Sequence, residues 1–270
     1  MEKFKKDPYN LNNNLVTEND IINIMKSLNI NDFKLTNLKY YQKSFIHKSY
    51  CKLPEYTDFE YPGAPCLPLQ EESYEKMEFL GDSILGSIVA SYIYQRFGMI
   101  HDQNEGFLTK LKIRIVCGEN LAKLSKHLNF QNHLILSKYQ EEQCSGRNNL
   151  NMLEDIFESF IGAIYLDNDY YTVENFLIKV IEKYVDFTDI LMTDNNYKDQ
   201  ISRYFQNNFK VHPKYETIKN EDKNNFISKI YRFDNENNIN IYICSGEGES
   251  KKKSEQDASK NALIHFNVLT

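Results

Sequence analysis

The sequence predicts an all-helical body followed by a small α+β tail. Three observations carry this. From about Glu18 to Tyr184, most of the chain places apolar residues every three or four positions, the period of helices with one buried face. A polar stretch, Asp189 to Asn196, then interrupts the pattern. Beyond it a helix, three short strand-like runs and a last helix follow in the order α-β-β-β-α. With 270 residues, 41% of them hydrophobic, the chain has material for one large domain or two ordinary ones, and wholesale disorder is a poor reading.

Residues 1–16 are polar and read as a disordered tail. Thr17 is a natural N-cap for a first helix carrying Ile21, Ile22, Met25 and Leu28. Residues 51–73 hold four of the six prolines, so a long loop is expected there. Helical periodicity resumes over Tyr74–Phe97, Leu108–Leu128, Leu150–Tyr165 and Val173–Tyr184. The body is thus placed at 17–188, a linker at 189–196 and the tail at 197–270. In the tail a helix is expected at Tyr197–Phe209 and strands near Lys214–Lys219, Phe226–Phe233 and Ile239–Cys244. In the last strand Ile239, Ile241 and Ile243 alternate with Asn240, Tyr242 and Cys244. A final helix is expected from Lys251 to Phe266, with Ala258, Ala262, Leu263 and Phe266 on one face.

Composition excludes several classes. No apolar run approaches the roughly 20 residues of a membrane helix. The start Met1-Glu2-Lys3-Phe4-Lys5-Lys6 has no apolar run behind it, which argues against a secretory leader. Cys51, Cys66, Cys117, Cys144 and Cys244 form no C-x-x-C pair, so free thiols in a reducing compartment, the cytoplasm, are expected. The formal net charge is −6, which at face value opposes a nucleic-acid partner. The charge is uneven, however. From Asn196 onward there are 12 basic and 10 acidic residues, a net of +2, which leaves 20 basic and 28 acidic in the preceding 195 residues, a net of −8. The Asn-, Ile-, Lys- and Tyr-rich usage fits an AT-rich coding genome, such as that of a large DNA virus or an AT-rich microbe.

Glu75, Glu78 and Asp82 stand at i, i+3 and i+7, on one face of one helix. Asp155 and Glu158 are again three apart, among Met152, Ile156, Phe157, Phe160 and Ile161. An acidic pair at helical spacing is usually a solvated face. If the two helices pack together, the carboxylates meet at one edge of the core. Repulsion and desolvation then oppose their ionisation, and a hard divalent cation relieves both. Two such ions about 4 Å apart suit phosphodiester hydrolysis.

The run Tyr74-Glu75-Lys76-Met77-Glu78-Phe79-Leu80-Gly81-Asp82-Ser83-Ile84-Leu85 resembles the signature helix of the ribonuclease III family. Phe45-Ile46-His47-Lys48-Ser49-Tyr50, Glu105-Gly106-Phe107-Leu108-Thr109-Lys110-Leu111-Lys112 and Leu153-Glu154-Asp155-Ile156-Phe157-Glu158 follow the same family's order. The resemblance covers about residues 20–187. It implies an all-α ribonuclease III endonuclease domain in which Glu78, Asp82, Asp155 and Glu158 ligate two magnesium ions, with manganese as a substitute. It implies catalytic roles for Asp82 and Glu158, supporting roles for Glu75 and Glu105, and a homodimer interface at Phe79. Glu154 departs from the family's usual small residue, and the loop at 51–73 is longer than the family's usual connection. His47 is chemically able to act as a base, but a structural hydrogen-bonding part is the expectation.

The junction Gly246-Glu247-Gly248-Glu249-Ser250-Lys251-Lys252-Lys253 places three lysines in a first helical turn, against the helix macrodipole. They are either solvated surface residues or partners of a phosphate. With the α-β-β-β-α order, the junction resembles a double-stranded RNA-binding domain, which reads A-form shape. The resemblance implies that Lys251, Lys252 and Lys253 contact phosphates. The family's Gly-Pro-x-His turn is replaced by Lys219-Asn220-Glu221-Asp222, and Arg203 stands where the family often has Glu, so weaker RNA binding is expected.

The leading expectation is a magnesium-dependent endoribonuclease that cuts double-stranded RNA to 5′-phosphate and 3′-hydroxyl ends with short 3′ overhangs, in RNA processing. The alternative is a non-catalytic protein that binds or sequesters double-stranded RNA. The complete carboxylate set favours the enzyme.

Overall fold

The computed structural model describes residues 6–192, 196–220, 225–235 and 237–269. It divides into two compact units, Met1–Phe187 and Thr188–Thr270. Among the described residues no helix is long and apolar enough to cross a membrane.

The first unit is helical. Its α-helices are α1 (Glu18–Ser27), α2 (Leu38–Lys43), α3 (Glu75–Ile93), α4 (Glu105–Ile115), α5 (Gly118–His127), α6 (Lys138–Gln143), α7 (Leu150–Asp167) and α8 (Tyr170–Tyr184). Thr17 caps α1 in a reciprocal capping box with Asp20. A π-helical turn, Tyr94–Met99, continues α3 to about the expected end of its pattern. Helix α7 lies at the centre, because every residue from Met152 to Ile164 except Glu154 and Asp155 is buried. Around Phe160 cluster the rings of Phe130, Phe176 and Tyr41, with centroids 4.6, 5.6 and 5.5 Å away. Burying one such ring contributes about 1.5–3 kcal/mol.

Helix α3 packs on α7 at backbone distance. A Cβ on Gly81 would overlap the Glu158 carbonyl, and one on Gly162 would overlap the Met77 carbonyl. Two glycines, one on each helix, therefore draw the acidic stretches of both helices to one seam.

Three expectations for this unit are corrected. Residues 6–16 are not a disordered tail. Asn13 donates to the Leu136 carbonyl at 2.9 Å and accepts from the Leu136 amide at 3.1 Å. Asn10 donates to the same carbonyl at 3.0 Å, and Val16 is buried. The polar segment is held by side chain–backbone hydrogen bonds, which leave no apolar pattern to read. Residues 1–5 of the expected tail lie outside the described residues. The pattern over Leu108–Leu128 is two helices rather than one. Asn104 starts α4 earlier, and the chain is extended at Cys117 while the Asn120 side chain takes the Ile115 carbonyl. Finally, α9 (Phe187–Met192) occupies the first part of the expected linker 189–196, of which residues 193–195 lie outside the described residues.

The segment 51–73 is loop, with one short 3-10 turn at Pro54–Tyr56. Both of its ends are tied: Gln70 N–H donates to the Tyr50 carbonyl at 3.0 Å and Lys52 N–H to that of Gln70 at 2.9 Å. Leu67 and Leu69 pack on Ile46, Tyr50 and Ile135.

The second unit places α10 (Tyr197–Phe209) and α11 (Lys251–His265) against an antiparallel sheet of β1 (Lys214–Asn220), β2 (Asn225–Asp234) and β3 (Ile239–Gly248), in that order. Ile201, Phe205, Ile230, Ala258, Ala262 and Leu263 form its core. The expected alternation in β3 does not run through. A register shift pairs Ile230 with Cys244 but Tyr231 with Tyr242, so Ile243 is the extra residue of a bulge, and both Ile243 and Cys244 pack on the core. Gly246 lets β3 meet α11, since a Cβ there would stand 2.6 Å from the Ala258 Cα. In the expected departure Lys219-Asn220-Glu221-Asp222, Glu221 and Asp222 lie outside the described residues.

Candidate active site

Five of the sequence-predicted carboxylates gather where α3 meets α7. Glu75, Glu78 and Asp82 come from α3, and Asp155 and Glu158 from α7. Glu158 is buried, Glu78 and Asp155 are half-buried, and Asp82 and Glu75 are exposed. The seam thus grades from core to solvent.

The electrostatics follow from that packing. Burial, then Asp82, Glu154, Glu78 and Asp155, push the Glu158 carboxyl up to about 8. Burial, with Asp155 and Glu75, pushes Glu78 up to about 7. Asp155 is also raised by burial, although a hydrogen bond from Tyr74 and the charge of Lys48 oppose it. Glu75 is held below the usual carboxylate range, chiefly by its hydrogen bond from Lys48, whose Nζ lies 2.9 Å from Oε1. Among the described residues no three Asp, Glu, His or Cys side chains close into a ready-made metal cage. The donor set is nonetheless all oxygen, anionic and mutually repelling, and this fits a hard divalent cation.

Two participants were not singled out by the sequence reading. Tyr74, 2% exposed, donates its phenol hydrogen to Asp155 Oδ2 at 2.9 Å. Lys48 is the nearby cation just described. Their signal in the sequence is adjacency to the acidic runs and nothing more. His47 is buried, and Nδ1 accepts from the Ser49 amide at 3.2 Å. Burial and Lys48 push His47 down to about 4, so it is neutral near pH 7.

Glu105 stands at the first position of α4, exposed, its carboxylate accepting from Thr109 Oγ1 at 2.9 Å. Phe79, on α3, is 78% exposed. In the second unit Ser250 caps α11 by accepting from the Lys253 amide at 3.2 Å. Lys251, Lys252 and Lys253 are exposed, and Lys253 Nζ pairs with Glu249 at 2.7 Å.

Residues 38–185, more than half of the chain, match a family model described as Ribonuclease-III-like. The chain belongs to the ribonuclease III family. Its second unit matches the double-stranded RNA binding motif over residues 197–265. The chain is 36% identical over 281 aligned positions to a protein of Acanthamoeba polyphaga mimivirus named "Probable ribonuclease 3"; the match covers all of this chain and 46% of that one, so the chain spans about half its relative's length. It is 33% identical to Ribonuclease 3 of Enterococcus faecalis, over 82% of this chain and 88% of that one. The ribonuclease III nuclease domain of Campylobacter jejuni superposes with a TM-score of 0.48 at 24% identity, over 61% of this chain and 98% of that one.

Glu154 is the residue at which this ribonuclease III chain departs from the resemblance beside its acidic seam. Its carboxylate lies over Gly118, the first residue of α5, where a Cβ would overlap it. Cys117, the N-cap of α5, makes no side-chain cap hydrogen bond. Burial, with Asp155 and Asp82, raises Glu154 above the usual carboxylate range, and the positive end of α5 opposes that rise. The Glu154 charge in turn raises Glu158 and Glu78.

Proposed function

We propose that the protein is a magnesium-dependent endoribonuclease that hydrolyses phosphodiester bonds of double-stranded RNA, leaving 5′-phosphate and 3′-hydroxyl ends with short 3′ overhangs, in RNA processing. One observation carries this reading: two helices, drawn together by Gly81 and Gly162, bring Glu78, Asp82, Asp155 and Glu158 into a seam where burial and mutual repulsion oppose ionisation. Those four would hold two magnesium ions, and manganese, which shares the preference for oxygen ligands, would substitute. Bound there, the ions supply an activated water and charge to stabilise the leaving oxygen.

The chain's own residues do the rest. Glu158 and Glu78 must release their protons to act as ligands, so loading is accompanied by proton release. Lys48 pairs with Glu75 at 2.9 Å and holds its carboxylate ionised. We assign Asp82 and Glu158 the catalytic roles, and Glu75 and Glu105 supporting ones. Phe79, a large apolar side chain left in solvent, supports a homodimer that would set one site against each RNA strand. Lys251, Lys252 and Lys253 would hold duplex phosphates. The five cysteines are all free, which suits the reducing cytoplasm.

Incubation with long duplex RNA and magnesium tests the reading. Short duplex products are expected, and no cleavage with magnesium or manganese at several salt concentrations would reject it. Asp82→Asn should abolish cleavage while duplex binding persists. Light scattering should report a dimer, and Phe79→Ala should shift it toward monomer.

A further inference from the structure

Tyr74 is buried and held at its backbone. Its amide donates to the Ile46 carbonyl at 2.9 Å, and its own carbonyl accepts from Met77 and Glu78 at 2.8 and 3.0 Å. Its ring is 2% exposed and stands 5.9 Å from that of His47. It precedes α3 yet makes no side-chain cap hydrogen bond to it. The phenol is instead spent on a residue 81 positions away, donating to Asp155 Oδ2 at 2.9 Å. A hydroxyl with a single long-range partner, carried on a ring packed in the core, orients that partner.

We infer that Tyr74 is the positioning residue for Asp155, and that by hydrogen-bonding Oδ2 it disfavours two-oxygen coordination by this carboxylate and thereby favours small cations. The physical ground is coordination chemistry. Magnesium binds few carboxylates and keeps near-ideal octahedral geometry, whereas calcium accepts bidentate carboxylates in looser, larger shells. A carboxylate held by one oxygen suits the first and handicaps the second. The inference rests on the metal-site reading above and adds a determinant of cation choice to it. Groups that orient ligands in this way typically contribute about 10–100-fold to metal affinity.

The test is direct calorimetric titration of the full chain with magnesium and with calcium, without RNA, for wild type, Tyr74→Phe and Asp155→Asn. Tyr74→Phe should weaken magnesium binding about 10–100-fold and leave calcium binding unchanged or tighter. Equal loss for both cations, or no change for either, overturns the inference. Asp155→Asn separates the two readings: if it binds magnesium as wild type does, the metal-site reading fails. If it loses magnesium while Tyr74→Phe does not, only the role of Tyr74 fails. A second measurement needs no truncated side chain. With 3-fluorotyrosine placed at Tyr74 alone, the fluorine resonance should move on magnesium addition in wild type and stay still in Asp155→Asn. An unmoved resonance at saturating magnesium overturns the inference.

Discussion

Gly81 and Gly162 form a reciprocal contact: the first meets the Glu158 carbonyl across the seam, and the second meets that of Met77. Neither position has room for a methyl group. Gly81→Ala would force α3 and α7 apart, so it should cost about 1–3 kcal/mol and weaken magnesium binding together with stability. Gly86, on the same helix, is the control. A Cβ there meets only Lys112 Nζ, at 3.8 Å, so Gly86→Ala should stabilise by about 0.5–1 kcal/mol. Urea unfolding of both variants measures the contrast.

The metal-free fold should lose stability as pH rises. Burial and neighbouring carboxylates hold Glu158 at about 8 and Glu78 at about 7, against 4.5 for an ordinary glutamate. Between those values the folded state binds more protons than the unfolded chain, so unfolding free energy falls with pH. His47, held at about 4, gives the opposite slope up to its ordinary 6.5, so in EDTA urea midpoints should drop most clearly from about pH 6.5 to about pH 8, and Glu158→Gln should flatten the drop. Magnesium should reverse the trend, because it binds the ionised carboxylates of the folded state. A midpoint that rises between about pH 6.5 and about pH 8 in EDTA would contradict the electrostatic account of the seam.

How far the sequence could be read depended on which interaction sets each structure. The helix at Tyr197–Phe209 was legible because its apolar face repeats at helical period, and the structure has the same bounds. The carboxylates were legible for the same reason, since i, i+3 and i+7 share a face. What escaped the reading is set by partners distant in sequence. Tyr74 gains its role only when α7 brings Asp155 to it. Asn10 and Asn13 look like part of a polar tail until Leu136 supplies a backbone to bind. The helix break at Cys117 and the bulge at Ile243 interrupt apolar patterns that continue across them.

The anchoring of residues 6–16 is testable at one side chain. Asn13 satisfies both backbone groups of Leu136, and all of these atoms are buried. Asn13→Ala would leave the buried Leu136 amide without its partner, while the carbonyl keeps the bond from Asn10, and should cost about 1–3 kcal/mol. Its exposed neighbour is the control: Asn14→Ala should stay within about 0.5 kcal/mol of wild type. Thermal unfolding in parallel checks both, and equal melting temperatures would return the segment to the status of a loose tail.

The −6 net charge of the chain leaves duplex binding to a local feature, and the lysines opening α11 are not equivalent. Lys251 and Lys252 are exposed, whereas Lys253 is paired with Glu249 at 2.7 Å. A lysine must give up such a partner before it can take a phosphate, so its net contribution is smaller. A lysine that neutralises a phosphate releases counterions, and removing one such lysine lowers the slope of log affinity against log salt by about 1. Changing Lys251 and Lys252 together to Ala should reduce the slope by about 2, while Lys253→Ala should reduce it by less than about 1. The assay is duplex-RNA binding without divalent cation across a salt series. Without magnesium, residues 1–195, net −8, add only repulsion. Binding under those conditions should therefore depend mainly on the tail, and a slope unchanged in the double variant would place the RNA-binding surface elsewhere.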